Sequence, residues 1–202
     1  MLADQQHRHR NRHNLGALLI LAGALLFMAL SAWLAYPGWE RAFRSDASPV
    51  SWLSSALLLS LCVMSARLMA DGGLPRGLGL WLTGAMFLLA LDEQFMFHEL
   101  WKYRCDDLTG LPALCEAPGV REAPILMVAL FGAITVAFMI RALPGRLTRG
   151  LLGAGIACGL WAIWIDQVPM PYPIAELEEG FEVLAEALVL AALMAVPPQR
   201  SG

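Results

Sequence analysis

The feature that most constrains this chain is its hydropathy pattern. Six apolar stretches, at 15–36, 50–69, 78–101, 124–140, 151–168 and 174–196, are separated only by short polar connections. Each is near the ~20 residues a helix needs to cross about 30 Å of hydrocarbon. Inside a bilayer only helices and closed barrels satisfy every backbone polar group, and long apolar runs without strand alternation favour helices. The expected fold is all-α: a polytopic integral membrane bundle of six transmembrane helices, a single domain over 1–202, with an outer loop at 102–123. Composition agrees, since 58% of residues are hydrophobic and 15% charged with a mean hydropathy of +0.58, against roughly 25% charged in soluble domains.

Charge sets the expected orientation. With the N-terminus inside, nine of the fourteen Lys and Arg fall on the cytoplasmic side and five outside, which favours N-in and, with six spans, C-in. Of the seventeen acids, only Asp4 and Asp71 then lie inside. Six of the seven Trp fall near outer span ends, where indole rings seat at the headgroup level, and Trp81 marks an inner edge. The HRHRNRH tract before the first span reads as a cationic anchor rather than a metal tract, and the first span is too long for a signal-peptide core. The expected location is a bacterial inner (plasma) membrane. The basic residues are scattered and sparse, so no nucleic-acid partner is expected; the lipid bilayer is the first partner.

The third span ends in LDEQFMFHELW and the sixth begins AELEEGFEVLAEAL. If these acids were loop residues, both helices would shrink to about 14 residues, too short to span without thinning the bilayer. At ~100° per residue, Asp92 and Glu99 share a face of the third helix, and Glu179, Glu182 and Glu186 form a stripe on the sixth. Glu93 points away, and it reads with Glu176 and Glu178 as an interfacial residue. Antiparallel third and sixth helices would stack Asp92 on Glu186 and Glu99 on Glu179, since Asp92 and Glu99 are seven apart and so are Glu179 and Glu186. Buried carboxylates need protons, bases or a cation. The expected metal ligands are Asp92, His98, Glu99, Glu179, Glu182 and Glu186, holding a divalent ion of unspecified identity, with an added oxygen from Asp166. His98 and Asp92 are the candidate catalytic pair, His98 as ligand or general base. The bland alternative for His98 is a hydrogen bond to Gln94, one turn earlier.

Cys105 and Cys115 share the outer loop, so a disulfide is expected if that side is periplasmic or extracellular; Cys62 and Cys158 lie within spans. Gly155 and Gly159 allow close helix contact inside the bundle. Ser51, Ser54, Ser55, Ser60 and Ser65 give the second helix a polar side. A second axial His for haem is missing from the spans. The tripeptide Leu91-Asp92-Glu93 resembles a short piece of the alkaline ceramidase type of seven-helix zinc hydrolase. That family relies on a Ser, an Asp and three His, whereas this chain has a single His at membrane depth, so the resemblance is not adopted.

Three uses of the cluster follow. One is a metal-dependent enzyme acting on a lipid-type substrate from the outer leaflet. A second is a proton or cation transporter element, although the inner half offers only Asp71 as a relay. The third is a non-catalytic subunit that assembles with other membrane proteins through the outer loop.

Overall fold

The computed structural model describes residues 2–43 and 48–196, with side chains from residue 14 onward. The side chains of the HRHRNRH tract, together with Arg44 and Arg200, lie outside the described residues. The order is α1 (Leu2–Ala35), a 3-10 turn (Trp39–Ala42), α2 (Pro49–Ala70), α3 (Arg76–Phe95), α4 (Phe97–Thr109), α5 (Pro112–Cys115), α6 (Ala123–Ala142), α7 (Arg146–Gln167), a second 3-10 turn (Ile174–Leu177) and α8 (Glu178–Met194). The described residues contain no strand. Four helices are long and apolar enough to cross a membrane, carried by α1 from Asn14, α2, α6 and α7, and α3 with α4 makes a fifth if the pair counts as one bent span. Large apolar side chains such as Leu26, Leu34, Leu126, Phe138 and Leu160 are exposed on the outside of the bundle. In water such a surface would aggregate; in lipid it is the solvated face.

Local sequence sets the helix ends. Ser48 caps α2 by accepting the Ser51 N–H at 3.0 Å, and Pro49 follows at a position where its missing N–H costs nothing. α2 stops at Asp71, and Gly72, at φ 74°, turns the chain into α3.

The span expected at 78–101 is not one straight helix. It breaks at Met96, a non-glycine residue at φ 55°, and α4 leaves α3 at 63°. The left-handed conformation costs roughly 1–2 kcal/mol for such a residue. Asp92 offsets it, because its carboxylate accepts the His98 N–H at 3.0 Å, a free donor in the first turn of α4. The stretch expected as a helix from 174 likewise opens with a 3-10 turn before α8.

The expected outer loop holds the end of α4, and α5. The Cys105–Cys115 disulfide joins these two helices with a Cα–Cα distance of 5.9 Å. Arg121 reinforces the fold-back, donating to the Lys102 and Cys115 carbonyls and to the Asp106 carboxylate at 2.9 Å. The Trp101 indole N–H reaches the Val120 carbonyl at 2.8 Å.

α8 is the central helix. Val183, Ala187, Leu190, Ala191, Ala192 and Leu193 are buried where it packs against α7, α2 and α1. Small residues let these backbones approach closely. A Cβ on Gly155 of α7 would lie 3.0 Å from the Ala185 carbonyl oxygen, and one on Gly79 of α3 would lie 2.5 Å from Met69 Cβ on α2. Gly155 thus serves contact inside the bundle. α3 packs on the other side of α2, and α6 attaches more loosely to α3 and α7. A Trp81–Thr135 hydrogen bond of 2.7 Å links α3 to α6.

Candidate functional site

α2 and α8 run parallel from the end of the bundle that carries the acids, and their first turns lie side by side. Ser48, Ser51 and Ser54 are spaced three apart at the start of α2 and are buried. Their hydroxyls engage three carboxylates: Ser48 with Glu179 at 3.2 Å, Ser51 with Glu93 at 3.0 Å and Ser54 with Glu186 at 2.8 Å. Ser48 to Ser54 rises about 9 Å and Glu179 to Glu186 about 10.5 Å, so the two helices are in parallel register. The serines shield acids that would otherwise face apolar neighbours. Glu186 is the deepest of them: its Oε2 is shut away from solvent and has no hydrogen-bond partner among the described residues.

This arrangement differs from direct stacking of the third and sixth helices. Glu186 and Glu179 pair with serines of α2, which packs against both α3 and α8. Asp92 turns instead to His98, with Oδ2 at 2.8 Å from Nδ1. His98 therefore pairs with Asp92 rather than Gln94. Glu93, read from sequence as interfacial, belongs to the cluster through its hydrogen bond to Ser51. The six residues from Ser48 to Ser54, close to the seven from Glu179 to Glu186, were the sequence signal for this ladder.

Asp92 accepts the His98 backbone N–H and, in the neutral ring, the Nδ1–H, the tautomer that leaves the Nε2 lone pair available to a cation. Nε2 lies 3.8 Å from Glu99 Oε1, and both side chains are about one-third exposed. That separation is too long for a hydrogen bond, but it suits two ligands each about 2.1–2.4 Å from one shared cation. A carboxylate behind a ligating imidazole is the usual outer partner of metal-bound His. The same pair also serves a general base.

Asp166 is held by Lys102 at 3.4 Å and Gln167 at 2.7 Å, and Lys102 also approaches Glu122 at 3.9 Å. Partial burial opposes the charge on Lys102, but Asp166 and Glu122 outweigh it and raise its pKa above the usual lysine range. Arg104 pairs with Asp107 on the surface at 3.2 Å. Among the described residues, the one group of three ligand atoms within 4.8 Å of one another is Cys105, Asp106 and Cys115. Its sulfurs are joined in the disulfide and Asp106 faces Arg121, so it offers a cation little. Cys62 and Cys158 are free thiols.

The fold is that of an all-helical membrane protein with a cluster of carboxylates, serines and one histidine at one end of its bundle. Residues 15–196 match the family described as Domain of unknown function (DUF8692), and the chain belongs to that family. No curated protein matches it. No solved structure matches it either.

Proposed function

We propose that the chain crosses a bacterial inner membrane six times with both termini inside, and that its outward-facing cluster binds a divalent cation used in chemistry on a lipid-type substrate. The 3.8 Å approach of His98 Nε2 to Glu99 Oε1, with Asp92 fixing the ring from behind, carries this reading. Further oxygens for a cation between them would come from Glu178 and Glu182, four residues apart at the start of α8. Asp92 orients His98, while Glu179 and Glu186 hold the α2–α8 seam through their serines. The excess of acids over the single imidazole and Lys102 favours a divalent ion over an anion.

Enzyme use is favoured over transport by what lies beneath. Inward of Ser54 and Glu186, Leu57, Leu58, Leu61, Leu190 and Leu193 are buried in the core, so the cluster opens toward one side only. A transporter needs a second opening.

The test is cation-dependent stability of the detergent-purified chain after chelation. Added Mn²⁺, Zn²⁺ or Ca²⁺ should raise the melting temperature of the wild type in a concentration-dependent way, and His98→Asn should abolish the rise. A wild type indifferent to all three ions, or a variant that responds equally, would refute the cation site.

A further inference from the structure

α1 packs mainly against α8 and the Trp39–Ala42 turn, and touches α2 only lightly. At the Ser48 end of the bundle this leaves a groove of about 390 Å³. Its walls are apolar, formed by Phe27, Leu30, Leu34 and Ala35 of α1 with Ala42 and Pro49. Ser31 also lines it, but its hydroxyl donates to the Phe27 carbonyl of its own helix at 2.9 Å. The one charged wall residue is Arg41, which is exposed and makes no ion pair among the described residues. From Phe27 to Ala35 the groove follows α1 for about 12 Å.

Depth and charge identify the occupant. Trp33 and Tyr36, beside Leu34 and Ala35 at the end of α1, are exposed at 72% and 77%, as aromatic rings are at the headgroup level. Arg41 therefore stands at phosphate depth with the apolar channel running inward beneath it. A guanidinium binds phosphate through two parallel hydrogen bonds, and an outward-open apolar cleft in a bilayer is filled by hydrocarbon. We infer that this groove binds one acyl chain of an anionic phospholipid, with the lipid phosphate on Arg41.

The groove adjoins the acid cluster. Pro49 forms part of its wall, and the preceding residue, Ser48, hydrogen-bonds Glu179. A lipid seated here presents its headgroup beside the cluster, which narrows the lipid-type substrate proposed above to an anionic phospholipid. The inference rests on that reading for its role in turnover, whereas lipid binding itself requires no cation.

Native mass spectrometry of the full chain, released from bilayers of equal phosphatidylglycerol and phosphatidylcholine, tests it. The wild type should retain phosphatidylglycerol several-fold over phosphatidylcholine. Arg41→Gln should bring the ratio near one, and Ala35→Trp, which fills the channel, should reduce retention of both lipids. Equal retention by the wild type, or an unchanged ratio in Arg41→Gln, overturns the inference. If Ala35→Trp fails to fold, the ratio for Arg41→Gln, a replacement at an exposed side chain, decides alone. Metal content measured on the same samples separates the two claims: lipid selectivity without metal removes only the cation reading, and metal without selectivity removes only the groove.

Discussion

Ser54 and Glu186, 132 residues apart in the chain, are joined by a 2.8 Å hydrogen bond that crosses from α2 to α8. The bond engages Oε1, and the buried Oε2 has no hydrogen-bond partner among the described residues, so this contact is the polar anchor of the deepest part of the seam. With Ser48 and Glu179 nearer the surface, it fixes how far α8 slides along α2.

Removing one partner should therefore cost more than removing both. Ser54→Ala strands a buried carboxyl and is expected to destabilise by about 1–3 kcal/mol, while Ser54→Ala combined with Glu186→Leu should recover much of that loss. Chemical unfolding in detergent, followed by circular dichroism, measures the cycle. Equal destabilisation by the single and double variants would contradict the coupling.

Glycines on α7 are expected to respond by position. Gly155→Ala places a Cβ 3.0 Å from the Ala185 carbonyl oxygen and forces α7 away from α8, an overpacking cost of about 1–3 kcal/mol. Gly153, on the same helix, has nothing within 4 Å of its added Cβ, so Gly153→Ala should be neutral or stabilise by up to ~1 kcal/mol. Melting temperatures of the two variants should move in different directions, and a parallel fall would mean that α7 faces α8 differently.

Thiol counting checks the outer fold-back. The denatured, unreduced chain should react with maleimide at two cysteines, Cys62 and Cys158, and at four after reduction. Four reactive thiols before reduction, in protein taken from an oxidising compartment, would remove the Cys105–Cys115 link.

The break between α3 and α4 makes a separate prediction. Met96 sits at φ 55°, where glycine is the residue without steric penalty, so Met96→Gly should be tolerated and gain up to about 1 kcal/mol. A beta-branched replacement, Met96→Val, should lose stability and disturb the Asp92–His98 pair. Urea titration of both variants gives the sign; a gain with Val would argue for an unbroken helix.

Much of the fold was legible because lipid-facing helices must be uniformly apolar over a fixed length. The stretches at 50–69, 124–140 and 151–168 lie within or largely within α2, α6 and α7. The break at Met96 was hidden, since neither Gly nor Pro marks it; it depends on Asp92 folding onto the His98 N–H, a contact that exists only once the chain has turned. The acids were visible as costly groups, but their partners were not. Periodicity places residues on a face of their own helix and does not say which helix lies opposite, so Glu186 was matched to Asp92 rather than to Ser54. Glu93 was set aside because it points away from Asp92 on the α3 wheel, and that direction leads to Ser51.

The cation reading turns on the metal content of the full chain purified in detergent without added chelator, with His98→Asn and Glu99→Gln variants prepared alongside and checked for equal folding by circular dichroism. Elemental analysis should find a divalent metal at about one ion per wild-type chain, sharply reduced in both variants, while Ser48→Ala, outside the ligand pair, keeps it. Metal-free wild-type protein that also fails to take up ions on dialysis, or variants that retain the full complement, would contradict a cation held between His98 and Glu99.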